Sequence, residues 1–248
     1  MGLTLRKIQS AIVLIISLAS YSSDAAIVLD RNRVIFDGGE NTVSLTITNN
    51  SADSPFMAHA WLEDEKGEKV SAPFVILPPL QRIAPGGLSQ LKIQALPMVD
   101  DLPQNRESLF WLNLREIPPK SKKENVLQIA LQSRIKLFFR PGPLVLGTEV
   151  MTHPFQEKLT MTREDNSYRV SNPTPYYITL VDARRVKGGE TAAGFSPFML
   201  SPHGETRLGA KVDELGETPV LTYINDYGGR PQLTFRCSGV SCSLQKER

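Results

Sequence analysis

The chain has few of the residues and motifs from which enzyme sites are built. Its three histidines, His59, His153 and His203, are far apart in sequence, and an isolated histidine is more often structural than catalytic. It has no Gly-x-Ser-x-Gly elbow, no His-Glu-x-x-His and no phosphate-binding loop. We therefore expect no catalytic residue, no metal site and no cofactor. A net charge of +2 over 248 residues also argues against nucleic acid as a partner, since polyanion binders carry a clear basic excess.

Cysteine is equally scarce. Cys237 and Cys242 are the two in the chain, and both lie near its carboxyl end. In an exported protein, two cysteines this close favour a disulfide. A redox pair or two metal ligands are the competing interpretations, but the spacing is not Cys-x-x-Cys and no histidine cluster accompanies it. We predict a structural disulfide between Cys237 and Cys242.

Long apolar runs are also missing. The run at residues 11–19 is too short to span a bilayer, which needs about 20 apolar residues. It follows Arg6 and Lys7 and precedes Ser23 and Ala25, which supply small residues at the −3 and −1 positions of a cleavage site. We predict that residues 1–25 are a signal peptide, that cleavage occurs before Ala26, and that the mature protein is exported and soluble.

What is present is a succession of alternating apolar and polar residues. Residues 42–48, 56–62, 89–96 and 109–117 follow this pattern, and residues 159–162, 168–171, 176–182, 205–208, 220–224 and 231–237 are further strand candidates. Short alternating strands separated by proline and glycine turns are typical of a β-sandwich. Proline and glycine at residues 140–143 interrupt the series and suit a hinge. We predict an all-β chain with two domains, residues 26–146 and 147–248.

The longest candidate strand covers residues 125–139. Its apolar face is formed by Leu127, Ile129, Leu131, Ile135, Leu137 and Phe139. An apolar strand at a sheet edge can pair with another chain. Two interpretations stay open on pattern alone: sandwich core, which composition favours, or a strand that captures a partner's backbone. Lys136 has the opposite parity, so it points away from the apolar face unless a bulge re-aims it.

Several segments together resemble one family. They are residues 26–33 (AIVLDRNR), 78–82 (PPLQR), 106–119 (RESLFWLNLREIPP), 125–139 (NVLQIALQSRIKLFF), 172–177 (NPTPYY) and 223–229 (YINDYGG). In these segments the chain resembles the periplasmic pilus (fimbrial) chaperones of Gram-negative bacteria. The resemblance extends over essentially the whole mature chain, and residues 114–119 and 125–139 are its most specific parts.

The resemblance implies two immunoglobulin-like β-sandwich domains in an L-shaped (boomerang) arrangement. It also implies a periplasmic, non-enzymatic chaperone of the chaperone-usher pathway. Such chaperones bind pilus subunits (pilins and the adhesin) by donor-strand complementation, prevent their premature polymerisation and deliver them to the outer-membrane usher. Without a subunit, the chaperone could shield its donor strand by self-association.

The resemblance further assigns roles to individual residues. The donor strand that fills the subunit groove would use Leu127, Ile129 and Leu131. The subunit's C-terminal carboxylate would be anchored by Arg33 and Lys136. An interdomain salt-bridge network would join Glu107, Arg140 and Asp226.

Two other functions fit the sequence less well. A pilus subunit or adhesin would need a donor-strand extension near its mature amino end, where this chain has a strand-like segment containing Arg33. An exported hydrolase on a β-sandwich would need a nucleophile and base, and no such motif is present in the sequence.

Overall fold

The computed structural model describes residues 25–121, 124–147 and 153–245. The predicted signal peptide lies outside these residues, apart from Ala25. The described chain is built from strands, with a single-turn helix α1 (Val212–Leu215) and 3₁₀ turns at Pro97–Asp101, Gly142–Leu144 and Phe155–Lys158. The prediction of an all-β protein is therefore confirmed. None of the helices in this part of the chain has the length and apolarity needed to cross a bilayer.

Two sheets form the first half. The strands are β1 (Ile27–Leu29), β2 (Arg33–Asp37), β3 (Thr42–Asn49), β4 (Phe56–Glu63), β5 (Lys69–Val70), β6 (Phe74–Leu77), β7 (Leu80–Ile83), β8 (Leu88–Ala95), β9 (Ser108–Ile117) and β10 (Gln132–Arg140). One sheet has the order β1-β3-β8-β6, and the other has the order β2-β10-β9-β4-β5 with β7 also paired to β4. Strands β2 and β10 run parallel.

Aromatic rings join the two sheets of the first half. The ring of Phe74 lies 4.9 Å from that of Phe36, 5.2 Å from Phe110 and 5.7 Å from Phe139, measured between centroids. Phe36 and Phe74 are completely buried. Leu137 and Phe139 of β10 belong to this core and Ile135 packs against it, as the alternation of the sequence predicts.

A separate core lies in the second half. Its strands are β11 (Thr160–Glu164), β12 (Ser167–Ser171), β13 (Ile178–Arg184), β14 (Phe198–Leu200), β15 (Glu205–Lys211), β16 (Val220–Ile224), β17 (Gln232–Ser238) and β18 (Ser241–Gln245). They are joined in the order β14-β13-β16-β17-β18-β11-β12-β15. Cys237 of β17 and Cys242 of β18 are directly paired and form a disulfide, as predicted. Strands β14 and β18 were not predicted.

The prediction of one continuous strand over residues 125–139 is wrong in its first half. Strand β10 begins at Gln132, and residues 126–131 have no strand partner among the described residues. The reason lies in the neighbouring strand. Strand β9 ends at Ile117, and the two residues that follow it, Pro118 and Pro119, have no N–H group with which to continue the ladder. We call residues 126–131 the edge segment.

Candidate functional site

A buried ion network connects the two halves of the chain. Arg140, the last residue of β10, places Nη2 2.8 Å from Oε1 of Glu107 and Nη1 2.9 Å from Oδ2 of Asp226. Oε2 of Glu107 accepts the backbone N–H of Tyr177 at 2.7 Å, and the N–H of Glu107 donates to the carbonyl of Pro175 at 2.9 Å. The three charged residues predicted as an interdomain network therefore lie in direct contact.

Burial dominates the electrostatics of this network. It raises the pKa of Glu107 to about 7, even though Arg140 and the N–H of Tyr177 favour the charged form. Burial alone would lower the pKa of Arg140, but Glu107 and Asp226 together hold it above its usual value. The guanidinium is therefore charged at every physiological pH, whereas Glu107 titrates near neutrality.

Arg33 and Lys136 lie side by side at the same junction. They are directly paired residues of the parallel strands β2 and β10. Lys136 Nζ donates to Oγ1 of Thr179 at 3.0 Å, and Arg33 Nη1 donates to the carbonyl of Ile224 at 3.3 Å. In the part of the chain that the structure describes, neither side chain has an ion-pair partner, and the buried Arg33 Nε has no hydrogen-bond partner.

Two partly desolvated cations beside each other favour an anion. Burial and, to a smaller extent, the nearby charge of Arg33 lower the pKa of Lys136 to about 8. Burial also lowers the pKa of Arg33, against the opposing effects of Asp226 and Glu107. A carboxylate placed between them would accept charge-assisted hydrogen bonds and relieve this repulsion. Arg33 also lines an open cavity of about 530 Å³ that reaches Asp37, Arg140 and Tyr227.

The structure determines which way Lys136 points. Pairing between β10 and β9 is continuous from Gln132 to Phe139, without a bulge. Leu137 is fully buried in the first core, whereas Lys136 and Phe138 face the second half, where Phe138 packs on Tyr177 with centroids 5.5 Å apart. Lys136 therefore lies on the face of β10 opposite to Ile135, Leu137 and Phe139.

The edge segment exposes its apolar side chains. Leu127 is 85% exposed, Ile129 66% and Leu131 38%. Ile129 and Leu131 line a groove of about 300 Å³ together with Phe56 and Pro118. The segment is held near its carboxyl end, where the N–H of Glu116 donates to the carbonyl of Leu131 at 3.0 Å. Its backbone is otherwise available to another strand.

Sequence reasoning missed two residues of this region. Thr179 binds Lys136 but stands in an ordinary apolar strand, and its sequence carries no signal of that contact. Glu116 is different: it follows Leu112 and Leu114 on the core-facing parity of β9 and is only 6% exposed. A carboxylate on an apolar face is the signal by which it could have been found.

Within the described residues, no group of three or more His, Cys, Asp or Glu side chains could hold a metal ion. His59 packs against Trp61, with ring centroids 5.0 Å apart. The predicted site is thus composed of cations, apolar side chains and free backbone.

Family models match both halves of the chain. Residues 26–144 match the pili and flagellar-assembly chaperone, PapD N-terminal domain, and residues 154–235 match the pili assembly chaperone PapD, C-terminal domain. The chain therefore belongs to the PapD family of pilus-assembly chaperones, and its fold is that of a two-domain, immunoglobulin-like β protein.

Individual relatives agree with the family models. The chain is 45% identical to the probable fimbrial chaperone YfcS of Escherichia coli K12, covering 96% of this chain and 93% of that one. It is 44% identical to the Escherichia coli chaperone protein PapD, covering 91% and 92%. Among solved structures, the periplasmic chaperone SfaE superposes with a TM-score of 0.67 at 34% identity, covering 84% of this chain and 98% of that one.

Proposed function

We propose that the protein is a periplasmic chaperone of the chaperone-usher pathway. It binds pilus subunits by donor-strand complementation, prevents their premature polymerisation and delivers them to the outer-membrane usher. The observation that carries this proposal is the edge segment: six consecutive residues outside the strand ladders, with exposed apolar side chains and a backbone bonded to β9 at Leu131 alone among the described residues. Its family membership gives the same function.

The edge segment can act as the missing strand of a subunit. Backbone hydrogen bonds would supply affinity, and Leu127, Ile129 and Leu131 would enter successive pockets of the subunit groove. Burying three such side chains would contribute about 1.5–3 kcal/mol each, less the cost of ordering the segment. The same side chains could be shielded by self-association when no subunit is present.

Arg33 and Lys136 would bind the subunit's C-terminal carboxylate. Support comes from their adjacency, their burial and the lack of an acidic partner among the described residues. Fixing the chain end would also fix the register of strand addition, because a slip of one residue turns every side chain to the wrong face.

The network of Glu107, Arg140 and Asp226 would hold the two domains at the angle that this site needs. It joins residues of both halves through a buried guanidinium. We also propose that residues 1–25 are a signal peptide, that the domains are residues 26–146 and 147–248, and that the protein acts in the periplasm without catalysis or a cofactor. Relatives named as chaperones support the last point.

Periplasmic co-expression with the pilus subunits encoded beside its gene tests the function. The readout is a one-to-one complex in size-exclusion chromatography, with wild type compared to Arg33→Ala and Lys136→Ala. Lys92→Ala is the matched control, since Lys92 is an exposed lysine of β8 in the other sheet. We expect a complex with wild type and control and none with the two variants, each shown to be folded by circular dichroism.

Other outcomes separate the parts of the proposal. A complex that survives both substitutions would refute the carboxylate anchor and leave strand donation standing. If wild type forms no complex with any of the subunits, the chaperone function itself is contradicted.

A further inference from the structure

Glu116 is a buried carboxylate to which the proposed function gives no role. It occupies a core-facing position of β9, in line with the fully or almost fully buried Leu112 and Leu114. It has no ion-pair partner among the described residues. A buried carboxylate without a cation is costly unless hydrogen bonds or a charge compensate it.

The contacts of Glu116 join two segments that are distant in sequence. Oε2 accepts the N–H of Ile27, the first residue of β1, at 3.0 Å. Oε1 accepts the N–H of Leu131 at 3.4 Å, while the N–H of Glu116 itself donates to the carbonyl of Leu131 at 3.0 Å. Glu116 therefore ties the beginning of β1 to the last residue of the edge segment.

Ala26 is held next to this carboxylate. Its carbonyl accepts the N–H of Asn50 at 2.7 Å, and Ile27 pairs with Asn49 in the β1–β3 ladder. Because one residue spans at most about 3.6 Å, the nitrogen of Ala26 lies within roughly 7 Å of Oε2 of Glu116. Ala26 and Glu116 also line the same groove as Ile129 and Leu131.

We propose that Glu116 receives the α-ammonium group created when the signal peptide is cut before Ala26, and that this charge pair positions Leu131 at the base of the edge segment. The inference deepens the proposed function and uses the cleavage site predicted from the sequence. Before cleavage, the nitrogen of Ala26 is a neutral amide. After hydrolysis of that peptide bond it is an ammonium group with additional N–H donors, charged at neutral pH because its ordinary pKa is about 8.

The charge pair would affect the position of the edge segment as well as the free energy of unfolding. The new cation offsets the desolvation of the Glu116 carboxylate and fixes its position. It thereby stabilises the hydrogen bonds that Oε2 accepts from Ile27 and Oε1 accepts from Leu131. A fixed Leu131 sets the point from which residues 126–130 leave the sheet. An unprocessed chain would carry the same edge segment with a looser base, so export would complete the capture site.

Four exported proteins test this in a two-by-two design. The amino end is either Ala26 or is displaced by Gly-Ser inserted between Ala25 and Ala26, and residue 116 is Glu or Gln. Gln is isosteric and keeps an oxygen acceptor while removing the charge. Intact mass identifies each mature terminus, and hydrogen exchange at the Leu131 amide and the urea midpoint are measured on the free proteins.

We expect Glu116→Gln to accelerate exchange at Leu131 roughly tenfold in the chain that begins at Ala26, and much less in the Gly-Ser chain. This difference should decline above pH 8 to 9, as the ammonium group loses its proton. Glu40→Gln, an exposed glutamate of the same domain, is the matched control and should change neither value.

Equal effects of Glu116→Gln in both backgrounds would overturn the proposal. So would a mature terminus other than Ala26 in the protein without the Gly-Ser insertion. Neither readout uses a pilus subunit. A failure of subunit capture by all four proteins would therefore count against the proposed function and leave this coupling to be judged on its own.

Discussion

Strand β10 and the edge segment are two halves of one alternating sequence with opposite fates. From Gln132 onward the chain pairs with β9 and, from Lys136, also with β2, and Ile135, Leu137 and Phe139 pack in the first core. Residues 126–131 repeat the same pattern outside any strand ladder, with Leu131 alone bonded to β9 among the described residues, and the side chains of Leu127 and Ile129 are largely exposed. Alternation therefore determines which face of a segment is apolar, whereas pairing with a neighbouring strand determines whether the segment joins the sheet that buries this face.

Replacing one leucine by alanine in each half tests this difference in burial most directly. Leu137→Ala removes a fully buried side chain and should lower the free energy of unfolding by about 2–5 kcal/mol. Leu127→Ala, at 85% exposure, should change it by less than about 0.5 kcal/mol. Urea unfolding of the two variants measures both. Similar losses would mean that the edge segment is packed in solution.

A charge placed on the edge segment should break its function and leave the fold intact. Ile129→Lys would put an ammonium group into an apolar groove of the subunit and should weaken the complex at least about a hundredfold. Titration with purified subunit, or competition with wild type, measures the loss. Leu88→Lys is the matched control, because Leu88 is 71% exposed on the other sheet. Equal losses in both variants would contradict strand donation.

Glu107, which pairs with Arg140 at the end of β10, should make the free energy of unfolding depend on pH. Because burial raises its pKa to about 7, the folded state holds this proton more tightly than the unfolded state. The contribution is fully present below about pH 4.5 and is lost as pH rises to 7, with a slope of at most about 1.4 kcal/mol per pH unit.

Glu107→Gln removes this titration. The free energy of unfolding of wild type relative to Glu107→Gln should therefore fall between pH 4.5 and 7 and be constant above 7, as measured by urea denaturation at each pH. A difference that rises with pH across this window would show that pairing with Arg140 outweighs burial.

Lys136 should give the smallest effect, and it concerns binding. Its pKa of about 8 means that the free site loses its second cation as pH rises through 8, while a bound carboxylate favours the charged form. We expect affinity for subunit to decrease roughly fivefold from pH 8 to pH 9. Lys136→Arg keeps the charge and should remove this decrease, as calorimetry or fluorescence titration would show. An unchanged pH profile in that variant would argue against Lys136 as an anion ligand.

Much of the fold could be predicted from the sequence, because alternation and turn residues are local. Residues 42–48, 56–62 and 220–224 are strands close to their predicted limits. Strand β14 has only three residues, and β18 alternates Cys242 and Leu244 with polar residues over only five, so neither is distinctive without the strands that pair with it. The start of β10 was misplaced for the same reason. Pro118 and Pro119, which end the pairing, belong to the neighbouring strand's continuation and are not next to residues 126–131 in the sequence.

The candidate site divides in a similar way. Arg33, Lys136, Glu107, Arg140 and Asp226 were assigned through family motifs, and the structure brings them to one junction. Their roles stay predictions until the variants are measured. The hydrogen bond of Thr179 with Lys136, and those of Glu116 with Ile27 and Leu131, join segments that are distant in sequence. Periodicity along the chain does not encode such contacts.

For a chain exported as we propose, the parallel pairing of β2 with β10 affects when the site at the junction can form. Arg33 and Lys136 are roughly 100 residues apart in sequence yet are direct neighbours in the sheet. A chain that crosses a membrane from its amino end exposes Arg33 early and Lys136 late, and such long-range pairing is slow to form. Under the proposed function, the site formed by Arg33 and Lys136 is therefore complete only after β10, the last strand of the first half, has crossed the membrane. A half-translocated chain would lack Lys136 and therefore the complete site that we propose for the subunit's C-terminal carboxylate.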